Sequence, residues 1–257
     1  MRQRILSAVI YLLSALIGVL AFAYPFLLPQ IATGEAHQND AVVLTVILLV
    51  LCLGVLLVEV QGQTVSAKMV ATLGVLVAVT SVLRFVEVAI PIPGGFSPIF
   101  APIILVGFVF GARFGFLMGT LTLLASALMT GSVGPWLPYQ MFTAGWVGLT
   151  AGWLPQPQND KLTLTLLLGF GFIWGVVYGV IMNLYFWPYV AGDPATSWAY
   201  GAGLVDALKR YSAFYMLTSF GWDIARSGGN ILLLLILGTP AIRALTRFRE
   251  RFQFQYL

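Results

Sequence analysis

The chain has 257 residues, of which 60% are hydrophobic and 9% are charged, and its mean hydropathy is +0.94. Soluble domains carry about 25% charged residues, so this composition excludes a soluble globular protein, while the abundance of apolar residues excludes disorder. At about 20 apolar residues for each membrane-spanning helix, the length fits roughly six to eight crossings of a bilayer.

Eight apolar segments follow one another along the chain, separated by polar or glycine- and proline-rich connections. They cover residues 5–28, 41–58, 66–90, 99–110, 114–130, 136–154, 162–187 and 221–244. The first segment follows two arginines, as in a signal peptide, but it is too long and lacks a small-residue cleavage site, so we expect a retained helix. A long polar and aromatic connection, with an amphipathic stretch near 204–220, precedes the last segment.

These segments predict an all-α integral membrane protein with eight transmembrane helices. We expect a two-helix hairpin over residues 1–60, a six-helix core over 66–247 and a basic tail over 248–257. Glycines recur every four residues from Gly107 to Gly119 and from Gly171 to Gly179. Such rows of small residues allow helices to pack closely within a membrane.

Basic residues predict the orientation, because the cytoplasmic connections of membrane proteins are enriched in lysine and arginine. With eight crossings and a cytoplasmic amino terminus, nine of the 13 basic residues face the inside: Arg2, Arg4, Lys68, Arg113, Lys161, Arg243, Arg247, Arg249 and Arg251. The other four face the outside: Arg84, Lys209, Arg210 and Arg226. We therefore expect both termini in the cytoplasm.

Motifs that carry catalytic or metal chemistry are scarce. Cys52 is the only cysteine, which excludes a disulfide framework. His37 is the only histidine, which disfavours a histidine-based metal site and a serine–histidine nucleophile. The chain has no P-loop sequence, no His-Glu-x-x-His and no Gly-x-Ser-x-Gly. We expect no catalytic residue, no metal and no cofactor, and any energy for uphill transport has to come from a partner.

Charged residues from separate segments gather at the predicted outer face. Arg84 and Glu87 lie one turn apart on the third segment, and Asp223, Arg226 and Asn230 share one face of the last. A charge within the membrane is costly unless it is paired or hydrated, so these residues are candidates for a functional site. The alternative is that the two acid–arginine pairs only neutralise one another.

Aromatic residues are also frequent at this face, among them Phe96, Trp136 and Tyr139. Tryptophan and tyrosine form belts at the headgroup level of membrane proteins without binding any ligand. The alternative is a pocket whose walls stack on a flat, ring-bearing molecule. Trp136 is our candidate for such a pocket because Pro135 and Pro138 constrain its loop.

Four short sequences of the predicted core form a recognisable set. They are Ser66-Ala67-Lys68-Met69-Val70-Ala71, Pro93-Gly94-Gly95-Phe96-Ser97-Pro98, Gly111-Ala112-Arg113-Phe114-Gly115-Phe116 and Gly134-Pro135-Trp136-Leu137-Pro138-Tyr139-Gln140-Met141. With them, residues 66–244 resemble the substrate-binding S component of an energy-coupling factor (ECF) vitamin transporter. The resemblance implies a six-helix core with a vitamin site near the outer face. It also implies association with a membrane scaffold subunit and two cytoplasmic ATPases, which agrees with the missing P-loop.

The resemblance implies substrate-binding roles for ten residues of this chain: Arg84, Glu87, Phe96, Trp136, Tyr139, Gln140, Asn183, Asp223, Arg226 and Asn230. The family's Ala-x-x-x-Ala pattern, which contacts the scaffold subunit, falls on Ala67 and Ala71. The chain departs from the family in the hairpin over 1–60 and in the unusually long connection over 188–222.

We therefore expect the vitamin-binding subunit of an ATP-driven importer in a bacterial or archaeal cell membrane, with lipid, a small molecule and the ECF module as partners and no nucleic acid. The first substrate candidate is cobalamin or another corrinoid, because the aromatic loops and the long connection offer room for a large ring system. Thiamine, riboflavin and a queuosine precursor are the other candidates. The alternatives from other classes are a stand-alone secondary carrier or channel and a membrane-embedded enzyme with Asp223 or Glu87 as acid or base.

Overall fold

A computed structural model describes residues 67–90, 95–190, 192–199 and 201–253, together with isolated positions between 16 and 54. Within these ranges, the side chains of Ala67, Lys68, Tyr189 and residues 251–253 are not described. The predicted hairpin over 1–60 therefore lies largely outside the described residues, and so does the end of the predicted tail after Gln253.

Seven α-helices make up most of the described chain. They are α1 (Ala67–Ala89), α2 (Phe100–Phe110), α3 (Ala112–Thr130), α4 (Leu137–Ala151), α5 (Asp160–Phe186), α6 (Leu204–Thr218) and α7 (Phe220–Gln253), with a short 3-10 turn at Trp187–Tyr189. The described residues include no strand. All six predicted core segments are helical, which confirms the all-α membrane fold.

Four of these helices are long and apolar enough to cross a bilayer: Met69–Ala89, Ala112–Thr130, Asp160–Phe186 and Phe220–Glu250. α2 is apolar but shorter. The predicted ends agree to within a few residues except at the last helix, which continues from the predicted end at Ala244 to Gln253. No glycine or proline follows Pro240, and the arginine-rich segment beyond it contains good helix formers, so nothing in the sequence stops α7 earlier.

Two glycines with positive φ separate consecutive helices of the core. Gly111 has a φ of 96° and divides α2 from α3. Gly131 adopts the left-handed conformation, with a φ of 65°, and its N–H donates to the carbonyl of Ala127 at the end of α3. A side chain at either position would strain the backbone, so these glycines determine where the helices end.

The chain divides into two compact units. The core unit consists of Val65–Val133, Gln140–Tyr178 and Gly221–Leu257, and the connection unit consists of Met1–Thr64, Gly134–Tyr139 and Gly179–Phe220. In the core unit, glycines of the first predicted row bring helices into backbone contact. A Cβ atom added to Gly107 or Gly115 would collide with the carbonyl oxygen of Gly148, and one added to Gly119 would collide with that of Ala144.

In the connection unit, the long segment before α7 folds on itself. Trp187 is fully buried, its indole N–H donates to the carbonyl of Thr196 at 2.7 Å, and its ring packs edge-on against Tyr211 with centroids 5.2 Å apart. The Tyr211 hydroxyl in turn donates to the carbonyl of Val180. The amphipathic stretch predicted near 204–220 is therefore a helix, α6, that buries one face within its own unit.

The contact between α3 and α4 predicts a large difference between two alanine substitutions. Gly148→Ala places a Cβ against the backbone of Gly115 and forces the helices apart, whereas Gly74→Ala in α1 has no atom within 4 Å of the new Cβ. Overpacking of a close contact costs about 1–3 kcal/mol. We expect Gly148→Ala to lower the midpoint of thermal unfolding in detergent and Gly74→Ala to leave it unchanged or raise it. Equal midpoints for the two variants would contradict the close helix contact.

Candidate functional site

The first ion pair of the site lies near the carboxyl end of α1. The guanidinium of Arg84 donates to one carboxylate oxygen of Glu87, one helical turn away. The other oxygen of Glu87 accepts a 2.8 Å hydrogen bond from the hydroxyl of Ser97, which is buried. Both oxygens of this half-buried carboxylate are therefore engaged, one within α1 and one by the segment between α1 and α2.

The second ion pair lies in the first turns of α7. Arg226 pairs with Asp223, which is only 2% exposed. The Arg226 guanidinium also lies over the ring of Tyr178, 5.4 Å from its centroid, within the range of a cation–π interaction. It reaches the carbonyl of Gly175 at 3.4 Å as well, so this single side chain connects α7 to α5.

Tyr178, which is buried in α5, contacts one of the two ion pairs through Arg226. The charges of Arg84, Glu87 and Asp223 act on its phenol at longer range. We call these five residues the charge cluster: Arg84, Glu87, Tyr178, Asp223 and Arg226. The cluster brings together α1, α5 and α7, and its two arginines are balanced by its two carboxylates.

The segment before α2 covers one side of this region. Gly95 has a φ of 70°, and a Cβ atom there would lie 3.1 Å from the carbonyl oxygen of Trp222 in α7. The ring of Phe96 packs directly on Gly229, at a position where any side chain would collide with it. Together with the Ser97–Glu87 hydrogen bond, these contacts fasten residues 95–97 to α1 and α7.

Polar side chains join α5 and α7 one turn beyond the ion pair. Asn230 is fully buried, and its amide nitrogen donates to the carbonyl of Gly171 at 2.9 Å. The Ser227 hydroxyl lies 2.9 Å from the carbonyl of Phe172 and 2.8 Å from that of Asp223. Because Gly175 has no Cβ, Ser227 can approach α5 closely. The second glycine row thus allows α7 to present its polar face to α5.

The carbonyl oxygen of the Asn230 side chain is buried and has no hydrogen-bond partner among the described residues. An unsatisfied buried acceptor costs free energy, so such a group is unusual unless a ligand or water completes it. The side-chain oxygen of Asn230 is therefore able to accept a further hydrogen bond.

Three predicted site residues belong to the connection unit, where they make local contacts. Trp136 is 40% exposed and folds its indole over Gly134 of its own loop. Tyr139 is buried, and its ring centroid lies 4.3 Å from that of Tyr185. The Asn183 amide donates to the carbonyl of Gly179 at 2.8 Å and accepts from the Ser219 hydroxyl at 2.9 Å.

The structure groups six of the ten predicted residues in one region of the core unit: Arg84, Glu87, Phe96, Asp223, Arg226 and Asn230. Gln140 is half-buried on α4 and belongs to the same unit. Trp136, Tyr139 and Asn183 belong to the connection unit.

Sequence reasoning missed two members of the region, Ser97 and Tyr178. Ser97 stands in the recognised sequence before α2, but nothing in its local pattern identifies Glu87 as its partner. Tyr178 follows Gly171 by seven residues and Gly175 by three, which places it on the close-packed face of α5. This spacing is the sequence feature by which Tyr178 could have been identified.

The described residues contain no group of three or more His, Cys, Asp or Glu side chains that could hold a metal ion. What the cluster provides is a set of charged and hydrogen-bonding groups in an apolar environment. Such a set can orient a polar ligand and distinguish it from its analogues.

Comparison with known proteins places this architecture in a family. A family model described as the substrate-specific component of ECF transporters matches residues 68–238, from the start of α1 through most of α7. No curated protein and no solved structure matches the chain. Since the match covers well over half of the chain, and the described helices form a multi-pass membrane fold, the protein belongs to the substrate-specific components of ECF transporters.

Proposed function

We propose that the protein binds a vitamin-like small molecule at the charge cluster and is the substrate-binding subunit of an ATP-driven ECF importer. The observation that carries this proposal is the presence of two ion pairs, on α1 and α7, that are connected through residues 95–97: Ser97 bonds to Glu87, and Gly95 and Phe96 pack on α7. Charged groups within membrane segments are rare and are commonly functional, because each has to be paired or hydrated.

The charge balance of the cluster indicates what kind of ligand it accepts. A neutral or zwitterionic molecule can exchange hydrogen bonds with Arg84, Glu87, Asp223 or Arg226 and leave no net charge in the apolar site. A strongly anionic molecule has to displace a carboxylate from its arginine, which leaves a buried charge without a partner. The side-chain oxygen of Asn230, which has no partner within the described ranges, favours a ligand that also donates a hydrogen bond.

For the substrate itself, a corrinoid such as cobalamin is our first candidate, followed by thiamine, riboflavin and a queuosine precursor. The corrinoid is placed first because the long connection over 188–222 and the aromatic loops offer wall area for a large ring system. In this proposal Phe96 and Gln140 of the core unit also contribute to substrate binding. Trp136, Tyr139 and Asn183 are the proposed substrate contacts of the connection unit.

We further propose that one face of α1 docks on the scaffold subunit. Ala71 lines an apolar groove of about 600 Å³ between α1 and the last part of α7, and the groove is lined as well by Val75, Leu76, Leu245 and Phe248. Small residues on a membrane helix permit the close approach of a partner helix. Ala67 lies one turn before Ala71 on α1 and extends the same face.

In this arrangement the two ATPases of the module supply the energy, because the chain has no P-loop sequence with which to bind ATP. The distribution of basic residues supports an orientation with both termini in the cytoplasm of a bacterial or archaeal cell. The charge cluster then lies toward the outer face, and the groove beside Ala71 lies toward the inner face.

Substitutions in the charge cluster test the substrate site. We expect Asp223→Asn and Glu87→Gln to weaken vitamin binding by at least about tenfold, because each leaves an arginine without its partner. Isothermal titration calorimetry of the purified protein against cobalamin, thiamine, riboflavin and a queuosine precursor measures the effect. Asp160→Asn is the matched control, since it removes a carboxylate that is also paired with an arginine but is exposed at the start of α5, outside the proposed site.

The thermal unfolding midpoint of each variant separates loss of binding from loss of folding. The vitamin proposal is wrong if the unaltered protein binds none of these molecules saturably. The assignment of the site is wrong if both cluster variants bind as tightly as the Asp160 control.

Assembly tests the scaffold face. We expect Ala71→Trp to reduce co-purification of the scaffold subunit and ATPases while vitamin binding to the isolated chain persists, because the indole fills the groove that the partner helix needs. Ala89→Trp, an exposed position at the other end of α1, is the matched control. Equal recovery of the complex with both variants would show that the partner docks elsewhere.

A further inference from the structure

A small polar cavity lies at the far end of α5 and α7 from the charge cluster. Its volume is about 150 Å³, and it lies between the end of α2, the connection after α4, the start of α5 and the last part of α7. Along α7, Arg243 is 17 residues from Arg226, or about 25 Å at 1.5 Å per residue. The cavity is therefore separate from the proposed vitamin site.

Hydrogen-bond donors dominate the lining of this cavity. They come from two arginines, three threonines and a glutamine: Arg243, Arg249, Thr163, Thr239, Thr246 and Gln156. Two of these donors are already engaged, since Gln156 donates to the carbonyl of Phe108 at 2.8 Å and Thr163 donates to that of Pro157 at 3.2 Å. Both arginines and the other two threonines belong to α7.

Arg249 is the central donor. Its terminal nitrogen donates to the carbonyl of Val109 at 2.5 Å, which holds the guanidinium against the end of α2. Its Nε atom is buried and has no hydrogen-bond partner among the described residues. A buried guanidinium N–H without an acceptor is costly, so the geometry leaves a place for an anionic oxygen beside it.

Asp160 is the one carboxylate that lines the cavity in the described chain, and it does not neutralise both arginines. It pairs with Arg243 at 2.6 Å, but the two side chains are 64% and 61% exposed. Exposed ion pairs are screened by water and contribute little. Arg243 can therefore turn to a stronger anion, and the lining retains an excess of positive charge.

The size and position of the cavity identify the chemical class of its ligand. A volume of 150 Å³ is about five times the share of one water molecule in the liquid, which suits a phosphate group and excludes a nucleotide or a vitamin. Arg247 and Lys161 lie at the same end of the unit and are exposed, as is Trp153. Basic pockets between membrane helices on the cytoplasmic side attract the headgroups of anionic lipids.

We propose that this cavity is a phosphate site that binds the headgroup of an anionic phospholipid. The phosphate accepts hydrogen bonds from Arg249 Nε and Arg243 and from the hydroxyls of Thr239 and Thr246, while the lipid chains lie along the apolar surface of the helices. Bound in this way, the lipid connects the last turns of α7 to the start of α5, beside the contact that Arg249 already makes with α2.

The experiment uses the full chain purified in a neutral detergent, with phosphatidylglycerol, phosphatidylcholine or inorganic phosphate added separately. Native mass spectrometry counts bound lipid, and the thermal unfolding midpoint reports stabilisation. We expect saturable binding of phosphatidylglycerol, and about tenfold weaker binding in Arg249→Gln and Arg243→Gln. Arg247→Gln removes the same charge from an exposed position outside the cavity, and we expect it to bind like the unaltered protein.

Because Arg249 also bonds to α2, its substitution could disturb helix packing as well as lipid binding. Arg243 and Asp160 are exposed, so their variants test lipid binding without that complication. Arg243→Gln should weaken phosphatidylglycerol binding, and Asp160→Asn should strengthen it by removing the competing carboxylate. If Arg247→Gln and Arg243→Gln weakened phosphatidylglycerol binding equally, the effect would be one of general surface charge and the proposed site would be wrong. If inorganic phosphate competes with phosphatidylglycerol and raises the unfolding midpoint by the same amount, the site binds free phosphate and the lipid proposal is wrong.

Discussion

A charge inside a bilayer is stable only when it is paired or hydrated, and this constraint organises the core unit of the protein. Glu87 illustrates it, because one carboxylate oxygen is taken by an arginine of its own helix and the other by Ser97 of the next segment. Arg226 likewise bonds to Asp223, lies over Tyr178 and reaches the backbone of α5. The additional contacts of these paired charges join α1 to the segment before α2, and α7 to α5.

Close helix packing makes the contacts between α7 and α5 geometrically accessible. Gly175 and Gly171 remove side chains from α5 where Ser227 and Asn230 of α7 form hydrogen bonds with its backbone. With larger residues there, α7 would move outward and carry Arg226 away from Tyr178. The glycine row thus supports the charge cluster through close packing, although glycine itself has no side chain.

Aromatic residues show why composition alone does not locate a binding surface. Trp187 is buried within the connection unit, with its indole N–H satisfied by a backbone carbonyl and its ring packed on Tyr211. It serves the packing of a long connection, whereas the 40% exposed Trp136 retains surface for a ligand or for the headgroup region. Two tryptophans equally conspicuous in the sequence therefore have different structural roles.

Local patterns in the sequence determined the all-α membrane class, the six core segments and the two acid–arginine pairs, because hydropathy and a spacing of three residues act within a single helix. They did not determine that α7 runs on to Gln253, since the charged residues that marked a tail are also good helix formers. Only the tertiary structure decided that Arg226 lies over Tyr178, that Ser97 bonds to Glu87 and that Arg249 Nε, beside a polar cavity, finds no hydrogen-bond partner in the described part of the chain. These relations join residues that are distant in the chain, and their distances follow from how the helices pack against one another.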